Sequence, residues 1–111
     1  MHQGYTALIH AAGENLEGIV ELLIEYKADL NVQDKDGWSA LMYASSRGNE
    51  DVAKTLVDAG ARLDLKNAEG KDAAALAHDE SYTEIESYIR GKVSRKSKGT
   101  RRNKVASNTE L

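Results

Sequence analysis

One spacing constrains this chain more than its composition does. Gly4, Gly37 and Gly70 stand 33 residues apart, and the residues around them keep the same phase. Ala7, Ala40 and Ala73 recur at that interval, as do Ala11, Ala44 and Ala77. The run Gly4-Tyr5-Thr6-Ala7-Leu8-Ile9-His10-Ala11-Ala12 aligns with Gly37-Trp38-Ser39-Ala40-Leu41-Met42-Tyr43-Ala44-Ser45. A third, weaker copy is Gly70-Lys71-Asp72-Ala73-Ala74-Ala75-Leu76-Ala77-His78. Farther along, Ile19, Val52 and Ile85 stay in phase, and so do Leu23, Leu56 and Ile89. A shared glycine spacing alone is weak. Small and apolar positions in phase through three units specify a stack of like units, none able to bury its apolar face alone.

Each unit reads as helix, short turn, helix and an extended hairpin-like loop. In the second unit Ser39 is the N-cap of a first helix over about 39–46. Gly48 ends it. A second helix spans about 50–59, with Glu50 and Asp51 at its positive end and Val52, Leu56 and Val57 as its apolar stripe. Gly60 stops that helix, and Asp34-Lys35-Asp36-Gly37 makes the turn into the unit. In the first unit Asn15 stands at the phase of Gly48 and Lys27 at that of Gly60. A left-handed backbone at Lys27 costs about 1 kcal/mol relative to Gly.

This pattern resembles the ankyrin repeat, a 33-residue unit with a Thr-Pro-Leu-His-x-Ala signature. The corresponding runs are Thr6-Ala7-Leu8-Ile9-His10-Ala11 and Ser39-Ala40-Leu41-Met42-Tyr43-Ala44, with Ala in place of the usual Pro in all three units. The resemblance implies an all-α solenoid with short β-hairpin-like loops over residues 1–90, in units 1–33, 34–66 and 67–90. It also implies a non-catalytic interaction module, an adaptor or scaffold. Its concave groove would be lined by turn tips and the exposed sides of the first helices.

Carried over by position, that groove holds Tyr5, Glu14 and Tyr26 from unit one, with His2, Gln3 and Gly13 beside them. Unit two supplies Lys35, Asp36, Trp38 and Arg47, and unit three Glu69 and Lys71. Tyr5 and the chain's single Trp, Trp38, share one phase, and aromatics and Arg are the usual interface anchors. The stretch Leu23-Ile24-Glu25-Tyr26-Lys27-Ala28-Asp29-Leu30-Asn31 resembles those that asparaginyl hydroxylases modify in ankyrin repeats, with Asn31 as the target and Asp64 in its place in unit two.

The two ends differ. Unit three carries Glu86 and Arg90 where units one and two carry Val20/Ala53 and Ile24/Val57, the polar exterior of a terminal unit. Unit one keeps Leu16, Ile19, Val20, Leu22, Leu23 and Ile24. Such a face implies a longer array, self-association through the first unit, or a marginal stack melting at or below about 45–65 °C.

Charge divides the chain at residue 90. Residues 1–90 hold 8 Lys/Arg against 17 Asp/Glu, a balance of −9, and residues 91–111 hold 7 against one, a balance of +6. The second segment has too few apolar residues to offset the entropy of ordering and is expected to be a disordered basic tail. Its Lys92, Arg95, Lys96, Lys98, Arg101, Arg102 and Lys104 resemble a nuclear-localisation or nucleic-acid patch. No aromatic is interleaved, so contact with nucleic acid would be through phosphate alone. This supports the alternative of a nuclear or nucleic-acid-associated accessory protein. Opposite charges also suit a tail that covers the groove until Ser94, Ser97 or Thr100 is phosphorylated. The final Thr109-Glu110-Leu111 resembles a class I PDZ ligand, with Thr109 and Leu111 in the two reading positions.

Chemistry finds little support. The absence of cysteine excludes disulfides, zinc ribbons and thiol catalysis. His10 and His78 lie two stacking steps apart, roughly 20 Å, too far to share a metal. His10 reads as a partly buried packing residue. No phosphate-binding glycine loop and no nucleophile–base pair is present, so neither an enzyme nor a cofactor is expected. No basic start and apolar run follow Met1, and no stretch nears the roughly 18 apolar residues of a membrane span. The expected compartment is cytoplasm, nucleus or both.

Overall fold

The computed structural model describes residues 6–99, with side chains to residue 92. Among these residues six helices follow one another: α1 (Ala7–Gly13), α2 (Glu17–Glu25), α3 (Ala40–Arg47), α4 (Glu50–Asp58), α5 (Ala73–Asp79) and α6 (Thr83–Gly99). Among the described residues there is no strand.

The 33-residue period recurs atom by atom. Thr6, Ser39 and Asp72 are the N-caps of α1, α3 and α5. Their side-chain oxygens accept from the backbone N–H of Ile9, Met42 and Ala75 at 3.1, 3.3 and 2.9 Å. Each cap satisfies a donor that the first turn leaves open. The turns between paired helices also repeat. Asn15, Gly48 and Ser81 have φ of 60°, 75° and 66°. The next N–H, from Leu16, Asn49 or Tyr82, donates to Ala11, Ala44 or Ala77, each at 2.9 Å. Lys27 and Gly60 end α2 and α4 at φ 66° and 100°, so Lys27 does occupy the left-handed backbone that favours glycine.

Helix α6 departs from the plan at the corresponding position. There the sequence has Val93, a β-branched residue for which positive φ is costly, and the helix runs on to Gly99. Regular structure therefore crosses the charge boundary expected at residue 90. Of the basic side chains beyond it, Lys92 is described. Its ammonium lies 5.3 Å from the Tyr88 ring centre and 3.7 Å from Asp58. The side chains of Arg95, Lys96 and Lys98, and all of Arg101, Arg102, Lys104, Thr109 and Leu111, lie outside the described residues.

The helices form two layers. α1, α3 and α5 pack side by side as the inner layer, and α2, α4 and α6 back them. Small inner-helix residues, Ala11, Ala12, Ala40, Ala44, Ala73, Ala74 and Ala77, are buried and allow close approach. Leu8, Ile9, Leu41, Met42, Val20, Val52, Leu56, Ile85 and Ile89 fill the space between layers. The whole is one continuous core shared by neighbouring units, as in a solenoid.

Candidate protein-interaction surface

The turn into repeat two is built on Asp34. Its Oδ1 accepts from the N–H of Asp36 at 3.0 Å and of Trp38 at 2.9 Å. Its own N–H donates to the Trp38 carbonyl at 2.9 Å, and Gly37 N–H closes the turn on the Asp34 carbonyl. Such local carboxylate bonds are why Asp favours turns. Asn67 does the same in repeat three, accepting from Glu69 and Lys71 N–H at 2.9 and 3.1 Å. The two turns are stitched together. Ala68 N–H donates to the Asp36 carbonyl at 3.0 Å, and Gln33 Nε2 spans the Gly37 and Lys66 carbonyls at 2.8 and 2.9 Å. Gly37 is required twice over: its φ is 83°, and a Cβ there would lie 2.8 Å from Asn67 Cα.

This turn presents Trp38 to the inner helix of its own repeat. Trp38 is partly buried and stacks on Tyr43, ring centres 4.9 Å apart and planes tilted by 39°. The Tyr43 hydroxyl donates to Asp34 Oδ2 at 2.5 Å, locking helix to turn. One turn farther along α3, the Arg47 guanidinium lies 5.5 Å from the Tyr43 ring centre, within cation–π range. Arg47 then crosses to repeat one: Nη1 donates to the Gly13 carbonyl at 3.0 Å and stands 3.9 Å from Glu14. The result is a continuous ladder, Trp38–Tyr43–Arg47–Glu14, aromatic at one end and charged at the other.

Repeat three has no such ladder. Lys71 takes the phase of Trp38 and Leu76 that of Tyr43. Lys71 instead pairs with Asp79 at 2.5 Å. That hydrogen bond raises the Lys71 pKa above its ordinary value and lowers that of Asp79. Asn67 Nδ2, with no hydroxyl opposite it, is buried without a protein partner.

Of the residues expected in the groove, the structure joins Trp38, Arg47 and Glu14. It places Lys35, Asp36 and Glu69 exposed on the turns, beside the ladder rather than in it. Tyr26 is exposed at the C-cap of α2, in the outer layer. Tyr5, His2 and Gln3 lie outside the described residues. Tyr43 and Asp34 were not among the expected anchors; the available signal was Tyr43 and Arg47 at i, i+4 spacing behind Trp38. His10, expected to be partly buried, is exposed; among the described residues α1 packs in its layer against α3. Asn31 is engaged: its Oδ1 accepts from Arg62 N–H at 2.8 Å, and its N–H donates to Asp29.

Among the described residues, no group of three or more His, Asp or Glu is placed to hold a metal ion. None of their helices is long and apolar enough to cross a membrane. A family model described as ankyrin repeats, three copies, matches residues 1–85. No curated protein matches the chain.

Proposed function

The chain belongs to the ankyrin-repeat family, whose members are generally protein–protein interaction modules, and on that premise we propose that it is a non-catalytic adaptor binding a protein partner through the Trp38–Tyr43–Arg47 ladder. The observation that carries this reading is the ladder itself. The indole stacks on Tyr43, Asp34 ties both the Trp38 backbone and the Tyr43 hydroxyl, and the Gly13 carbonyl accepts from the Arg47 guanidinium. A partner therefore meets a preorganised surface and bears less ordering cost on binding. Lys35, Asp36, Glu69 and Lys71 supply a polar rim.

The basic segment supports a second reading, a nuclear or nucleic-acid-associated role, and charge segregation is the observation behind it. Salt separates the two. Binding through phosphate contacts falls steeply with ionic strength, whereas an aromatic anchor is much less sensitive. The deciding experiment is affinity capture at low and high salt. It compares the full chain, Trp38→Ala, and a variant with Lys98, Arg101, Arg102 and Lys104 changed to Gln. Protein capture lost only with Trp38→Ala supports the ladder. Salt-sensitive capture of nucleic acid lost only with the Gln variant replaces it with the second reading.

We also propose Asn31 as a substrate of asparaginyl hydroxylases. Its bond to Arg62 N–H must open for the side chain to enter another active site. Mass spectrometry after incubation with such an enzyme should show one added oxygen on Asn31, and an unchanged mass removes the assignment.

A further inference from the structure

We propose that Tyr88, Asp58 and Lys92 form a latch that holds the extended part of α6 to the body of the stack, and that phosphorylation of the Tyr88 hydroxyl is the reaction that opens it. Tyr88 is half-buried on α6. Its hydroxyl donates to Oδ1 of Asp58, the last residue of α4, at 2.5 Å. Lys92, one turn farther along α6, sets its ammonium 5.3 Å from the ring centre and 3.7 Å from the same carboxylate. Lys54 of α4 brings a second ammonium to 5.3 Å from the ring while bonded to Glu50 at 2.9 Å. One ring thus joins two helices through a carboxylate and two cations. Asp58 stands at the phase of Gly91, and α6 continues from there to Gly99, about 12 Å of helix beyond the level at which α4 ends. The latch sits at the root of that extension. It also lies outside the repeat plan. At the phases of Tyr88, Asp58 and Lys92 the preceding pair of outer helices has Thr55, Glu25 and Ala59. Thr55 and Ala59 supply neither a ring nor a cation, and that helix stops at Gly60 instead.

The latch depends on the one hydrogen that phosphorylation removes. In the transfer Tyr88 Oη bonds to the γ-phosphorus of ATP, the bond from that phosphorus to the ADP oxygen breaks, and the hydroxyl proton passes to the base of a tyrosine kinase. The ester has no donor and carries up to about two negative charges. Opposite the Asp58 carboxylate, it turns a charge-assisted hydrogen bond into like-charge repulsion. Lys92 is drawn from Asp58 to the phosphate and Lys54 from Glu50, so Asp58 loses both the hydroxyl and the ammonium that held it. A phosphate on Tyr26, 75% exposed at the C-cap of α2, would break no such tie. Access follows from the ends of the helices. Asp58 is exposed, and α6 packs on α4 and α5, both of which end short of its extension. Opening can therefore begin at Gly99 and reach Tyr88. Glu84 and Glu86 stand four and two residues ahead of Tyr88, a charge pattern that suits a kinase with a basic substrate cleft. The latch is in the outer layer, apart from the Trp38 ladder, and the inference stands whether or not the ladder binds.

The test uses the full chain and amide hydrogen exchange. Tyr88→Phe keeps the ring beside both ammoniums and removes the hydroxyl, and Asp58→Ala removes the acceptor. Exchange at residues 90–96 should accelerate about fivefold or more in each variant, while exchange in α3 stays unchanged. Incubation with ATP and a purified tyrosine kinase of acidic substrate preference, read by mass spectrometry, should place one phosphate on the peptide carrying Tyr88. It should appear several-fold faster in Asp58→Ala and be absent from that peptide in Tyr88→Phe. The phosphorylated parent should exchange at residues 90–96 at least as fast as Tyr88→Phe. Unchanged exchange in both variants, or equal acceleration in α3, overturns the latch. No phosphate at Tyr88, or a phosphate there that leaves residues 90–96 as protected as in the parent, overturns the trigger.

Discussion

The Tyr43 hydroxyl donates to Asp34 Oδ2 at 2.5 Å, tying the inner helix of repeat two to the turn that carries Trp38. The same carboxylate holds Trp38 N–H through its other oxygen. Tyr43→Phe keeps the ring under Trp38 and removes this bond. A bond to a charged acceptor contributes about 1.5–3 kcal/mol when fully formed, and less where water can replace it. The expected outcome is a loss of about 1 kcal/mol, or roughly 4–8 °C in Tm. Tryptophan emission, which reports Trp38 alone, should shift red as the turn loosens. An unchanged melt and spectrum would show that the ring stack suffices.

Lys27 holds φ 66° at the position where repeat two has Gly60 at φ 100°. Lys27→Gly is expected to raise stability by about 1 kcal/mol, because glycine pays no Cβ penalty there. Gly48→Ala is expected to do the opposite. Its φ is 75°, and the new Cβ would lie 2.7 Å from the Tyr82 ring. Urea titration should move the two midpoints in opposite directions at unchanged slope. Movement in the same direction would break the equivalence of the left-handed positions.

How much of this was legible follows from what repeats. Phase located the Ser39 N-cap and the left-handed stops at Asn15, Lys27, Gly48 and Gly60, and a departure from phase marked the polar end at Glu86 and Arg90. Other features that break phase were not legible. Tyr43 aligns with His10 and Leu76, so nothing in the comparison marks it as an anchor, although it is the centre of the ladder. The continuation of α6 to Gly99 depends on Val93 standing where Gly60 stops α4, a negative signal that composition masks.

Asn31 links the loops of repeats one and two by accepting from Arg62 N–H at 2.8 Å. Asn31→Ala leaves that backbone donor without its partner, although water can reach it. The expected cost is about 0.5–1.5 kcal/mol. Amide hydrogen exchange at Arg62 should accelerate in the variant, while exchange in α5 stays unchanged. Uniform acceleration throughout would instead indicate global destabilisation, with no specific role for this bond.

Glu86 gives the stack a predictable acid limb. Its carboxyl is held below the ordinary value of 4.5 by the hydrogen bond from Arg90, then by that from His78. A carboxyl depressed in the folded state binds protons less readily there than in the unfolded chain. Its contribution is therefore present at pH above 4.5 and is lost as pH falls through the lower folded value. Asp79, lowered by Lys71, acts in the same direction. Glu86→Gln removes the titration and keeps the shape. The variant should melt below the parent at neutral pH, and the two curves should converge as pH falls below 4.5. Added salt at neutral pH should narrow the gap, because the cluster is solvent-facing and screened. Melts that stay parallel across the acid range would show that the ion cluster at the end of the stack adds nothing to its stability.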